Sequence, residues 1–155
     1  MMLSTRTRYG LRAAVELALR GAWRGSGARP VPLAAVAKRQ GISERYLRQI
    51  FMHLGRAGVV AAELGRRGGY RLAREPGRIT ALDVTKALGE ELGPVFCVRR
   101  PSRCRRVREC PTYPLWGKLA DAVTDILGAT TVAELAERCP TRGRSALSRG
   151  CMFHI

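Results

Sequence analysis

What this 155-residue chain lacks narrows its function before any motif is read. Acidic residues are scarce: 12 Asp and Glu stand against 28 Lys and Arg, a formal net charge of +16. So one-sided a balance exceeds what solubility needs and points to a polyanionic partner. Histidine is rarer still, with His53 and His154 alone. Neither stands beside a cysteine in a spacing suited to nucleophilic catalysis, so an enzyme is not expected. No apolar run approaches the roughly 20 residues that span a bilayer. The first apolar stretch, 11–19, carries Arg12 and Glu16, which the core of a secretory signal would not tolerate. The expectation is a cytoplasmic protein with no membrane partner. Close Cys-x-x-Cys pairs of the kind found in many structural zinc sites are absent, as are internal repeats. Cysteines number five, an odd count that in the cytoplasm argues against a disulfide framework and for metal, cluster or redox chemistry.

What is present is organised around residues 31–70. Residues 31–40 read as a short helix and Gly41-Ile42-Ser43 as a tight turn. Ser43 is placed to cap a second helix, 44 to about 57. Leu47, Ile50, Phe51 and Leu54 recur there at three- and four-residue steps and form an inward stripe, leaving Arg45, Tyr46, Arg48, Gln49 and Met52 on other faces. After Gly58, residues 59–63 are strand-like, 65–69 form a glycine- and arginine-rich hairpin tip, and 70–72 begin a return strand. Helix, turn, helix and basic hairpin in that order describe a winged helix-turn-helix. The second helix enters the major groove of double-stranded DNA and the wing lies along a neighbouring groove or phosphate row.

Around this unit, Ser4 or Thr5 caps a first helix to about residue 20, with Tyr9, Leu11, Val15 and Leu19 as its expected buried stripe. A further helix is expected over 82–91, stopped by Gly93-Pro94, and a loop over 97–114. Helical spacing returns over 115–127, and 131–137 makes a last short helix. The fold class is therefore mainly α with a small β wing: a winged helix-turn-helix plus a long C-terminal dimerisation helix, whose apolar surface a symmetric partner would cover. The expected division is 1–92 for DNA binding, 93–114 for a cysteine-containing sensor loop, 115–139 for the dimerisation helix and its short successor, and 140–155 for a flexible tail.

The sensor loop holds Cys97, Cys104 and Cys110, with six and then five residues between them, among arginines at 99, 100, 103, 105, 106 and 108. Soft thiolates on an irregular loop suit an iron-sulfur cluster, zinc or copper(I). The arginines would lower thiol pKa values and offset cluster charge. The same residues also fit a thiol switch, or unligated cysteines beside phosphate-binding arginines.

The chain resembles the IscR/NsrR family of bacterial winged-helix regulators, also called the Rrf-two family. The resemblance is carried by Leu3 to Tyr9, Pro30-Val31-Pro32-Leu33, Gly41-Ile42-Ser43 with Tyr46, Leu47 and Gln49, Gly68-Gly69-Tyr70, the cysteine loop, and Leu115-Trp116. It implies a homodimeric DNA-binding transcription regulator, repressor or activator, controlled by a [2Fe-2S] or [4Fe-4S] cluster. The signal would be nitric oxide, iron, cluster supply or redox state. By motif match, Cys97, Cys104 and Cys110 would be the ligands. Ser43, Tyr46, Arg48, Gln49, Arg66, Arg67, Gly68 and Tyr70 would meet DNA. Gln49 is suited to adenine and Arg48 to guanine, the wing arginines to phosphate or the minor groove. The histidine that completes the IscR-like site is replaced by Tyr113, and Arg8 and Arg12 stand where some relatives offer a first-helix ligand. The fourth ligand is unassigned among Tyr113, Glu109, His154, Cys139 and Cys151. The alternative is a cluster-free member switched by cysteine oxidation, a small ligand or a partner protein.

Overall fold

The computed structural model describes residues 3–139. Its core is a three-helix unit with a two-stranded wing. Helix α1 runs Thr5–Leu19, α2 Leu33–Gln40 and α3 Glu44–Arg56. Strands β1, Val60–Glu63, and β2, Gly69–Leu72, pair antiparallel with Val60 opposite Leu72 and Glu63 opposite Gly69. Helix α4 runs Ala81–Ala87, α5 Phe96–Arg99, α6 Tyr113–Ala129 and α7 Val132–Glu137.

Local chemistry sets the boundaries. Ser4 Oγ accepts the Thr7 N–H at the start of α1, and Ser43 Oγ accepts that of Tyr46 at the start of α3. Between α2 and α3, Gly41 takes φ +63°, a left-handed value that closes α2 without a Cβ penalty. The sharp turn this allows throws the chain directly into the Ser43 cap.

The expected α3 stripe, Leu47, Ile50, Phe51 and Leu54, is buried and packs with Leu17, Val36, Leu72, Ile79 and Val84 in one core. The stripe expected for α1 is displaced. Its fully buried face is Thr7, Gly10, Ala13, Ala14 and Leu17, whereas Tyr9, Leu11, Val15 and Leu19 are half-buried. Small residues let neighbouring helices approach: a Cβ on Gly10 would lie 2.4 Å from Leu88 Cδ1 and 3.6 Å from Ile50 Cγ2. α1, α3 and the end of α4 thus converge at one point.

Glu16 is a buried charge in this core. Its carboxylate accepts from Arg20 Nε at 2.6 Å and Arg39 Nε at 2.9 Å, and lies 3.4 Å from Gln40 Nε2. The pairs tie α1 to the end of α2 and satisfy a charge that could not be left alone there.

Three boundaries differ from expectation. α4 ends at Ala87, because Gly89 at φ +74° turns the chain out before Gly93 is reached. The 97–114 stretch is not wholly irregular: α5 makes one turn, and Pro101–Arg103 makes a single 3₁₀ turn. α6 begins at Tyr113, with Pro114 in its first turn, where a proline starts a helix rather than breaking it. α7 packs against α1, and Val132 is wholly buried in the core. The tail 140–155 lies outside the described residues. Among the described residues no helix is long and apolar enough to cross a membrane.

Candidate nucleic-acid interface and cysteine loop

At 100° per residue, Arg45, Arg48, Gln49, Met52 and Arg56 form a stripe diametrically opposite the buried one, and all five are exposed. Arg48 Nη2 donates to Glu44 Oε1 at 2.8 Å. That contact is exposed, so it can be broken at little cost. Arg45 and Arg56 were not among the expected contact residues, although helical arithmetic places them on the same stripe. Ser43 is exposed, with its oxygen engaged in capping. Tyr46 lies to one side, half-buried, its ring edge-on to Tyr9 with centroids 6.1 Å apart. It links α3 to α1 as well as flanking the exposed stripe.

The wing stands beside this surface. Arg66 and Arg67 are exposed at its tip, and Gly68 N–H closes the tip onto Gly65 O at 2.9 Å. A Cβ on Gly68 would meet Glu63 O at 2.3 Å, so the hairpin itself demands glycine there. Arg71 Nη2 donates to Glu63 Oε2 at 2.9 Å and braces the two strands. Tyr70 packs edge-on against Phe51, ring centroids 4.7 Å apart, joining wing to α3. Between them runs a groove of about 460 Å³, lined by Arg48, Gln49, Met52, Arg56 and Tyr70 among others.

The cysteine loop is built differently. Cys97 lies in α5, Cys104 follows the 3₁₀ turn and Cys110 precedes α6; all three are free and half-buried. Among the described residues no three of His, Cys, Asp and Glu are gathered closely enough to hold one metal ion. The donor chemistry fits a thiolate-held cluster at three positions, but the thiols are not preassembled, so binding must draw the loop together. Glu109 is exposed and Tyr113 half-buried at the start of α6. Cys139 is buried after α7, while Cys151 and His154 lie outside the described residues. Arg12 is committed to Gln40, through Nε to Oε1 at 2.9 Å and Nη2 to the backbone O at 3.1 Å.

The Thr112 hydroxyl, 3.3 Å from Cys110 Sγ, holds the Cys110 thiol below its ordinary pKa, helped by the Thr112 and Tyr113 backbone N–H groups and by Arg106. A lower pKa means more thiolate at neutral pH. Thr112→Val is therefore expected to move the midpoint of Cys110 alkylation to higher pH. An unchanged rate-versus-pH profile in mass-spectrometric labelling would contradict that role.

Helix-turn-helix, arginine-tipped wing and outward polar stripe together define the class of winged helix-turn-helix DNA-binding transcription regulators. The family model described as Rrf2, iron-dependent transcriptional regulator, matches residues 3–138, and the chain belongs to that family. It is 38% identical over 143 residues to protein rrf2 of Nitratidesulfovibrio vulgaris, spanning 90% of this chain and 92% of that one. Among solved structures it is similar to CymR, the global cysteine regulator of B. subtilis, with 34% identity, TM-score 0.70 and coverage of 88% of this chain and 97% of that one. It is also similar to T. potens IscR, with 33% identity, TM-score 0.68 and coverage of 88% and 87%. The matching family model is that of a transcriptional regulator, and the chain is a transcriptional regulator rather than an enzyme.

Proposed function

We propose that this protein is a homodimeric, sequence-specific regulator that reads double-stranded DNA with α3 and the wing, and whose affinity is set by an iron-sulfur cluster at Cys97, Cys104 and Cys110. The observation that carries the DNA reading is the exposed stripe of α3, opposite its buried one and separated from the arginine-tipped wing by an open groove. Arg45, Arg48 and Gln49 face base edges, Ser43 and Tyr46 flank them, and Arg66, Arg67 and the Gly68 backbone approach the sugar-phosphate rail, with Tyr70 holding the wing in register.

Replacing Arg66 and Arg67 together by alanine is expected to weaken binding to every duplex and to lower the salt slope of log K by about 2. A slope equal to that of the unsubstituted protein in fluorescence anisotropy would remove the wing from the interface.

Dimerisation is supported by α6, which buries only Ala120 while Leu115, Leu119 and Ile126 are 59%, 45% and 65% exposed. Helix-turn-helix dimers read half-sites one helical turn, about 34–36 Å, or a multiple of it apart, and two copies joined through α6 would present two α3 helices to such a pair.

Three thiolates of this loop would hold the cluster, leaving one position to another group. When bound, the cluster supplies a centre whose gain, loss or oxidation changes the loop. The six arginines offset its negative charge, and the loop closes only when all three sulfurs converge. Protein purified anaerobically is expected to be brown, and Cys104→Ala to bleach it. A colourless protein after anaerobic reconstitution with ferrous iron and sulfide would defeat the cluster part and leave the DNA reading standing.

The hydrogen-bonded Cys110 thiol favours a second reading, in which oxidation of these cysteines switches DNA binding without metal. Operator binding that persists in chelator but responds to diamide would select it.

A further inference from the structure

We propose that Glu90 is a positioning residue for DNA recognition: it fastens the first turn of α1 to the end of α4 and, through Tyr9 and Tyr46, sets how α3 is presented, while Glu91 beside it clasps the cysteine loop. The proposal deepens the reading of that loop as the sensor and rests on it.

The backbone at Glu90 is fixed. Gly89 N–H bonds to Lys86 O at 3.0 Å and Glu90 N–H to Thr85 O at 3.2 Å, the paired bonds of a Schellman cap made possible by Gly89 at φ +74°. From that anchored position the Glu90 carboxylate accepts the Ser4 hydroxyl and the Thr7 hydroxyl, each at 2.6 Å, and both its oxygens lie 3.3 Å from Ser4 N. A negative charge is thereby seated on the N-terminal turn of a 15-residue helix, where the helix dipole favours it. Burial pushes the carboxyl pKa up. The hydrogen bonds from Ser4 and Thr7, with Arg6 nearby, outweigh burial and hold it below the ordinary carboxylate range.

The consequence reaches α3. Two residues beyond Thr7, Tyr9 packs edge-on against Tyr46, and Glu90 and Tyr46 line the same cleft of about 330 Å³. At Gly10 the three helices meet: an added Cβ would lie 2.4 Å from Leu88 Cδ1 and 3.6 Å from Ile50 Cγ2. A shift of the α4 end is therefore felt at the packing of α1 against α3.

The next residue faces the other way. Glu91 accepts from Arg100 Nη2 at 2.8 Å and lies 3.8 Å from Arg99 Nη1, arginines that directly follow Cys97 and its neighbour Val98. Adjacent carboxylates therefore hold the reader's first helix and the sensor's first turn. A loop drawn together around Cys97 pulls on Arg99 and Arg100, then on Glu91, then on the seat of α1. None of the Glu90 and Glu91 hydrogen bonds involves a cysteine sulfur, and together they join the cysteine loop to the first turn of α1.

The test measures the operator dissociation constant of the full-length protein in two loop states, anaerobically reconstituted with ferrous iron and sulfide, and chelator-stripped; a reduced and a diamide-oxidised sample form the second pair. The unsubstituted protein is expected to show a ratio between states within the usual range for allosteric coupling, roughly 5- to 150-fold. Glu90→Ala should bring that ratio to within about twofold of one, and Glu91→Ala, whose pairs with Arg99 and Arg100 are exposed, should lower it by a smaller factor, roughly two- to fivefold. Glu90→Gln, which keeps a hydrogen-bond acceptor for Ser4 and Thr7, should restore most of it. A residue that only stabilised the fold would lower melting temperature and weaken both states alike, leaving the ratio intact. A ratio preserved in either alanine variant overturns the proposal. Equal affinity of both states in the unsubstituted protein, for both pairs, overturns the sensor reading itself and the relay with it, and is recognised because no variant is needed to see it.

Discussion

Replacing Gln49 by alanine is expected to weaken operator binding by about 1–3 kcal/mol, roughly 5- to 150-fold, while binding to random duplex hardly changes. The expectation rests on where the side chain stands. Gln49 is exposed on α3, near the middle of the stripe from Arg45 to Arg56, and lines the groove that faces the wing. A primary amide there presents a donor and an acceptor together, the pattern that pairs with the N6 and N7 edge of adenine in the major groove. On the proposed reading, sequence-independent affinity comes from arginines that meet phosphate, so truncating Gln49 should leave it alone. Equal losses on specific and random DNA would show that α3 acts only as a charged surface and that base reading lies elsewhere.

A second large effect is expected from Gly69→Ala, at the first residue of β2. A Cβ there would lie 2.5 Å from Val31 O, 2.6 Å from Val31 C and 2.9 Å from Pro32 N. These are backbone atoms in the bridge that fastens the wing to the start of α2, where Val31 N–H bonds to Tyr70 O and Tyr70 N–H to Val31 O, both at 2.8 Å. They cannot move without parting the bridge. A cost of about 1–3 kcal/mol is expected from overpacking, a fall of several degrees in melting temperature. Because the wing is the part displaced, affinity for all DNA should fall as well. Unchanged thermal melting would mean that the wing tolerates displacement from α2, and the rigid placement of Arg66 and Arg67 would lose its basis.

The DNA-reading half is largely legible in the sequence because its signals are periodic and local. Leu47, Ile50, Phe51 and Leu54 can only form one stripe, and Ser43 after Gly41 can hardly do other than cap the next helix. The buried face of α1 is not legible in the same way. Large apolar residues at 9, 11, 15 and 19 draw attention from the small ones, whereas close approach of helices selects Gly10, Ala13 and Ala14. Glu16 is legible as a charge but not as a buried one, since its partners Arg39 and Gln40 come from another helix. Likewise the expected α4 is too long because its apolar residues say nothing of the left-handed turn at Gly89. α5 leaves no signal because four residues are too few to show a period. Gly68 and Tyr70 are expected from the sequence to meet DNA; hairpin closure and the contact with Phe51 account for their identity in the free protein.

The cysteine loop is legible only as donor chemistry. Spacing along an irregular chain gives the number of thiols but not their arrangement, and the structure keeps Cys97, Cys104 and Cys110 apart from any group of three ligands among the described residues. The link from that loop to α3 runs through Glu90 and Glu91, whose partners lie 86 residues back in the chain for the Ser4 contact and 9 residues ahead for the Arg100 contact. Separations of that kind leave no pattern in a sequence.

The central claim is that α3 faces base edges while the wing holds the backbone beside it, and its most direct test is site-specific crosslinking to the operator. A photoreactive side chain placed in turn at Gln49, at Arg67 and, as a control, at Ile126 on α6 would be irradiated in complex with duplex bearing the operator. The expected result is crosslinks from position 49 to bases in two half-sites about one helical turn apart. Position 67 should give crosslinks to the adjacent backbone or minor groove, and position 126 none. Crosslinks arising from position 126 with none from position 49 would contradict the account.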